Sequence, residues 1–276
     1  MAFGELTRIG SNLGAARSLR SLKMINGKIG EIQSRLSTGK RIVRVQDDTA
    51  GYQIAKGLES RVRGLKQAFD NVGTAKNVLN VAESNHEAQM TLLLTIKDKV
   101  SQGADEALTT QQKTAIQNQI NAMLTEIDDL KTSAKWQGAA LNAGNGATVD
   151  LTFHVGDEAT DSFDVSLNGF DSATIGTINV ANTTSALAAL GTVETAIDTL
   201  ATDIQAVGNF QIRLASKEGM LSDSIMNTEA ARSRIEDADF AVEQMEALKL
   251  QIMQQTSMTA FTQTTQGPQI VLSLFR

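Results

Sequence analysis

The 276-residue chain has no cysteine, one proline, one tryptophan, one tyrosine and two histidines. Lack of cysteine excludes disulfide frameworks, thiol nucleophiles and Cys-ligated zinc together. Metal or general-base work would fall to His86 and His154. His86-Glu87 lacks the second histidine four residues on that a zinc-protease helix needs, so His86 reads as a solvent-facing helix residue. His154 alternates with Phe153 and Val155, which places it on the polar face of a strand. Aromatics make up only 4% of the chain, too few to interleave with a basic stretch as base-stacking platforms do. The lone proline, Pro268, leaves room for long uninterrupted helices. No run approaches the roughly 18 apolar residues a membrane span requires. Met1 to Gly14 carries no apolar core of the secretory type, so export would use a route without a cleaved signal peptide.

A formal net charge of -6 repels nucleic acid and anionic membrane, and neither is expected as a partner. The charge is uneven. Arg8, Arg17, Arg20, Lys23, Lys28, Arg35, Lys40, Arg41 and Arg44 face only Glu5 and Glu31 within the first 45 residues. A nucleic-acid arm is one reading of that stretch, but its apolar stripe favours a protein partner. Asp47-Asp48, Asp128-Asp129 and Glu236-Asp237 are adjacent acids that point apart on a helix and serve paired catalysis poorly. Phosphate-binding glycine loops, nucleophile elbows and triad spacings are missing, so no catalytic, cofactor-binding or metal-ligating residues are expected.

What the chain does have is periodicity. Leu22, Ile25, Ile29, Ile32 and Leu36 recur by threes and fours, as one face of a helix requires, and the stripe fades at Thr38-Gly39. Arg41, Arg44, Asp47 and Asp48 then mark an ordered, irregular connector whose charges are expected to pair locally. A second stripe runs from Ile54 through Leu65, Val72, Leu79, Leu93 and Val100, far beyond the ordinary helix of about 8–20 residues. A third spans Ile116 to Leu130. Near Ala147 the period drops to two: Val149, Leu151, Phe153 and Val155, then Phe163, Val165 and Leu167, predict a β-hairpin. Residues 169 to 184, rich in Gly, Ser, Thr and Asn, read as turns and short strands at an exposed tip. Helical spacing returns from Leu190 to Ile225, with Gln211 and Glu218 at positions that a heptad gives to apolar groups and that can fix register. Met245, Leu248 and Ile252 form a last stripe before the apolar end Ile270, Val271, Leu272, Leu274 and Phe275.

The expected fold is mainly α with a small β insert: a long antiparallel helical bundle or coiled coil formed by the N- and C-terminal halves, with the hairpin in the middle. Three regions are expected: a terminal-helix core of residues 1–40 and 241–276, a connector over 41–56, and a long-helix region over 57–240 with its hairpin insert at about 145–184. A single amphipathic helix in water buries almost none of its apolar stripe while still losing backbone entropy. The two ends are therefore expected to be disordered alone and to become helical on assembly; the plainer alternative is that they complete one intramolecular bundle.

Several runs resemble the bacterial flagellins. Arg35-Leu36-Ser37-Thr38-Gly39-Lys40-Arg41-Ile42 followed by Asp47-Asp48-Thr49-Ala50-Gly51 is similar to that family's N-terminal R-L-S-[ST]-G-x-R-I and D-D-A-A-G runs. Ser233-Arg234-Ile235-Glu236-Asp237-Ala238-Asp239-Phe240 resembles its S-R-I-E-D-A-D-[YF] run, and Pro268 to Arg276 its P-Q-N-V-L-S-L-L-R ending. Phe153 to Gly156 and Phe163 to Leu167 look like its hairpin strands. Departures are Ile270 for Asn, Phe275 for Leu, and an unusual start from Ala2 to Asn12. The resemblance implies an extracellular subunit of the flagellar filament that polymerises with itself into a hollow helical tube for motility. It further implies passage through the flagellar type III export apparatus, an export chaperone, and contacts with filament cap and junction proteins. Polymer packing would then fall to Leu22, Ile25, Ile29, Ile32, Leu36, Met245, Leu248 and Ile252, and a spoke to Arg41, Arg44, Asp47 and Asp48. Many family members are sensed by an innate immune receptor of the Toll-like class. At the matching positions this chain has Thr95, Lys99 and Gln119 where those members carry Arg, Leu and Glu, which implies weak or absent sensing. A hook-filament junction protein of the same family, or a soluble secreted helical adaptor or translocator, is the alternative reading.

Overall fold

A computed structural model of the chain describes the backbone of residues 12–273 and side chains as far as Gln266. The unusual start up to Ser11 and the closing Leu274 and Phe275 lie outside the described residues. So do the side chains of Ile270, Val271 and Leu272. Helices dominate: α1 (Leu13–Thr38), α2 (Thr49–Gly103), α3 (Thr110–Ser133), the single turn α4 (Ser172–Ile175), α5 (Thr183–Glu236) and α6 (Phe240–Ser273). Four short strands lie between α3 and α4: β1 (Lys135–Trp136), β2 (Ala139–Ala140), β3 (Thr148–His154) and β4 (Ser162–Asn168). They form two antiparallel pairs, β1 with β2 and β3 with β4. The chain divides into two compact units, one from residues 1–60 and 228–276, the other from residues 61–227.

In the second unit the apolar seams of α2, α3 and α5 meet. Leu93, Ile96 and Val100 of α2 pack with Ile116, Ile120 and Ile127 of α3 and with Val193 and Leu200 of α5. Further along, Leu65, Val72 and Leu79 meet Leu214 and Leu221 and the inward side chains of the hairpin, Phe163, Val165 and Leu167. Paired positions from Thr148↔Asn168 to His154↔Ser162 give the hairpin a seven-pair register, and Phe163, Val165 and Leu167 are buried while their neighbours in β4 are exposed. The expected period-two alternation is thus present, with His154 exposed. Gln211 and Glu218 find polar partners across the helix seam: Gln211 Nε2 donates to Glu83 Oε2 at 2.6 Å, and Lys76 Nζ lies 2.8 Å from Glu218 Oε2. Pairs of this kind favour the observed register, since a slip of one helix along the other would separate both sets of partners.

Two expectations are corrected. His86 is not solvent-facing; it is only 2% exposed. Leu79, His86 and Leu93 recur at the heptad interval, so the helix turns all three inward. The ring Nδ1 sits 3.3 Å from Gln89 Oε1, and Gln89 Nε2 in turn donates to the carbonyls of Ile127 and Phe170. Residues 169–184 are not an exposed tip with short strands. They hold α4, and Phe170, Ile175, Ile178 and Val180 are buried. Side-chain amides substitute there for a strand partner: Asn142 bonds both N and O of Phe170, and Gln117 bonds Ile178 O and Val180 N. Gly103 allows the close approach, because a Cβ there would stand 2.8 Å from Val180 Cβ.

The first unit is built on α1 and α6, which run antiparallel. Asn12 pairs with Thr264, Asn26 with Gln254 and Arg35 with Glu243. Asn12 caps α1 by accepting from Ala15 N. Its Nδ2 also donates to Thr264 O at 2.9 Å. That carbonyl lies four residues before Pro268, which has no N–H to satisfy it, and Asn12 takes the vacant role.

Candidate functional site

The residues expected to serve polymer packing and the connector lie in the first unit, where residues 35–51 and 233–240 meet. Gly39 ends α1 in the left-handed conformation, φ 70°, and its N–H bonds Arg35 O. The chain then pairs with the end of α5: Arg41 N donates to Glu236 O at 2.7 Å, Ala238 N to Gly39 O at 2.9 Å, and Lys40 and Asp237 form an antiparallel bridge. Lys40 Nζ reaches Glu236 Oε1 at 2.5 Å, and Arg41 Nη2 donates to Ile235 O at 2.7 Å. Glu236 is 5% exposed, so its charge depends on Lys40 and, at 4.0 Å, on Arg232.

The connector is held by aspartates bonded to backbone rather than by the local Arg–Asp pairing expected from sequence. Asp47 Oδ2 accepts from Val43 N and Arg44 N, which holds its carboxyl below the ordinary range. Asp48 caps α2 by accepting from Gly51 N at 2.9 Å. A Cβ on Gly51 would lie 2.4 Å from Asp48 Oδ2 and 2.8 Å from Ile42 Cδ1, so glycine is required at that point of the turn. Helix α2 already begins at Thr49, and residues 49–56 of the expected connector are helical. Asp239 opens α6 in the same manner, accepting from Ala241 N and Val242 N. The order of small, acidic and glycine residues in both runs is therefore a set of helix stops and starts.

Side chains expected to serve polymer packing fall into two groups. Ile25 and Ile32 are buried, and Ile29 and Leu36 partly so, against Leu250 and Ala247 of α6; Leu22 is half-buried. Met245, Leu248 and Ile252 instead face away from α1, at 63%, 58% and 66% exposure. Leu250, which the sequence stripe did not include, is the α6 residue that closes on α1. The signal that could have found it is the pair Ala247 and Leu250, three apart. Of the receptor-patch positions, Thr95 and Gln119 are exposed and Lys99 is half-buried.

Among the described residues no cluster of His, Asp and Glu could hold a metal ion, and no helix is long and apolar enough to cross a membrane. One unit of antiparallel end helices with a row of large uncovered apolar side chains on α6, and a second unit of well-packed helices with a small hairpin, define a mainly helical protein of structural type. Comparison with known proteins agrees. The bacterial flagellin N-terminal helical region matches residues 9–147 and the bacterial flagellin C-terminal helical region matches residues 190–275. The chain belongs to the bacterial flagellin family, and it is a structural subunit of a flagellar filament.

It is similar to the flagellar filament 33 kDa core protein of Treponema phagedenis, 27% identical over 284 residues covering 97% of this chain and 99% of that one. It is similar also to the flagellin of Bacillus subtilis, 28% identical over 305 residues covering 98% and 100%. Flagellin FljK of Caulobacter vibrioides is 27% identical over 277 residues covering 98% and 99%. A flagellar hook-associated protein from Vibrio parahaemolyticus shares the fold, with TM-score 0.59 and 14% identity over 69% of this chain and 100% of that chain.

Proposed function

We propose that copies of this chain polymerise by covering the exposed face of α6, Met245, Leu248 and Ile252, while the α1 stripe of Leu22, Ile25, Ile29, Ile32 and Leu36 holds α1 to α6 within each copy, to build a hollow extracellular tube. The observation that carries this reading is the exposure of those three side chains on a helix whose opposite face is already closed by Leu250. Large apolar groups in a row, in water, favour any arrangement that dries them. Arg41, Arg44, Asp47 and Asp48 act as the spoke that joins the packed ends to the rest of the subunit. No catalytic step is part of this role.

Export through the flagellar type III apparatus without a cleaved signal peptide belongs to the same proposal. So do an export chaperone and contacts with filament cap and junction proteins. Weak sensing by the innate immune receptor follows from Thr95, Lys99 and Gln119. Deleting residues 241–276 tests the core of the reading: the full chain forms long filaments under the electron microscope at high concentration, and the shortened chain forms none. Tubes from the shortened chain would overturn it. Long filaments from the full chain also separate this role from a junction protein of few copies and from an adaptor that stays monomeric.

A further inference from the structure

With no cysteine in the chain, its sulfur chemistry rests on nine methionines. Met90 and Met123 pack against the core of the second unit. Met245 stands at the other extreme, 63% exposed on α6 and in one row with Leu248 and Ile252. Met253 and Met258 are exposed on the same helix but stand off that row. Leu248 and Ile252 are hydrocarbon throughout, so the row has one chemically reactive member.

The helix cannot roll this side chain under α1. Before it, Arg35 Nη1 holds Glu243 Oε1 at 3.4 Å, and after it Ala247 and Leu250 close on Ile25, Ile29 and Ile32. Those contacts fix the opposite face of α6 and leave the Met245 thioether in water in a dispersed copy. A thioether keeps a free lone pair at every ordinary pH, and hydroperoxides oxidise it.

We propose that Met245 is an oxidation site whose sulfoxide withdraws a copy from assembly, an inference that rests on the α6 face being the covered one. The sulfur lone pair attacks the terminal oxygen of a hydroperoxide and the O–O bond breaks. Sulfur gains that oxygen and is oxidised by two electrons; the hydroperoxide is reduced and leaves, with its proton, as water or an alcohol. The product sets a polar acceptor in an apolar row. Drying that acceptor without a donor is unfavourable, whereas drying the thioether is favourable, so the same contact that selects the reduced form rejects the oxidised one. Once covered, the sulfur is also shielded from further peroxide.

The test uses the full chain, treated with hydrogen peroxide to partial conversion, freed of peroxide and set to assemble. Peptide mass spectrometry of filaments and supernatant is expected to show Met245 sulfoxide depleted in the filaments by about tenfold, the effect of one buried acceptor left unpaired. Equal abundance in the two fractions overturns the inference. Met245→Leu keeps the apolar row and is expected to assemble after the same treatment, although its other methionines are oxidised; treated Met245→Leu as impaired as the treated parent overturns it as well. Leu248→Asp separates this site from the covered face itself. Filaments from that variant remove the face, whereas none from it beside normal growth of the sulfoxide-bearing parent removes the oxidation site alone.

Discussion

Lys40 Nζ meets Glu236 Oε1 at 2.5 Å, and the two partners are unequal: the carboxylate side chain is 6% exposed, the lysine side chain 38%. The pair joins the end of α1 to the end of α5, and with it the Gly39 and Arg41 backbone bonds tie one signature run to the other. A buried carboxylate fixed by a half-exposed cation is asymmetric in consequence, since losing the cation leaves the costlier charge behind.

Lys40→Met should therefore destabilise this junction by about 2 kcal/mol, below the value for a fully buried pair because Lys40 is partly solvated. Glu236→Gln should cost less, and the double variant less than the sum. Hydrogen exchange at the Arg41 and Ala238 amides reads the effect. Equal losses in both single variants would contradict the asymmetry.

Gly51→Ala should lower thermal stability by about 2 kcal/mol, because the new methyl displaces the Asp48 cap and presses on buried Ile42. Asp48→Ala alone removes the cap at about 1 kcal/mol. Combining the two should give less than the sum, since the clash with Asp48 Oδ2 is then gone. Strict additivity in melting experiments would show that the cap and the clash are unrelated.

His86 predicts an acid dependence. Burial holds its imidazole below the ordinary 6.5, with the Gln89 hydrogen bond and the Asp203 carboxylate pulling the other way. The unfolded chain thus takes up the proton before the folded one does. The His86 contribution is fully present above 6.5 and is lost as pH falls below it, by at most about 1.4 kcal/mol per pH unit. Melting of dispersed subunits should decline more steeply below that point in the parent than in His86→Leu, and parallel declines would refute the assignment.

Leu248→Asp and Ile252→Asp should abolish filament growth while leaving the melting temperature of the dispersed subunit within about 1 °C, because both side chains already stand in water. Leu250→Asp, at 3% exposure, should impair both. Sedimentation and thermal melting of the three variants separate surface from core. Normal filaments from the first two would remove the exposed face from the interface.

Long periodic segments were legible in the chain because heptad spacing and alternation are strong signals. The stripes of α1, α2, α3 and α5 and the two hairpin strands follow the sequence pattern directly. The misreadings share one cause, which is that composition spoke louder than position. His86 is polar by type but interior by interval. Phe170, Ile178 and Val180 are interior residues diluted in a run of glycine and hydroxyl side chains. α6 is a separate case: Met245, Leu248 and Ile252 do form one face, and Leu250 on the other face meets α1, since periodicity identifies faces and does not say which face the chain itself covers. The Asp47 and Asp48 backbone bonds escaped for a similar reason, since opposite charges nearby in sequence suggest each other before they suggest main-chain amides.

The β3–β4 hairpin imposes a parity rule on change in this part of the chain. Its strands count in twos, so a one-residue slip of β4 against β3 would turn the phenylalanine, valine and leucine outward together and bring Asp164 and Ser166 in, and an insertion or deletion inside Ser162–Asn168 would do so for the residues on one side of it. Added length is tolerable only where the count restarts, in the stretch after His154. Lineages or engineers seeking new outward decoration are thereby channelled to that one bend, while the strands themselves admit substitution at alternate sites and nothing else.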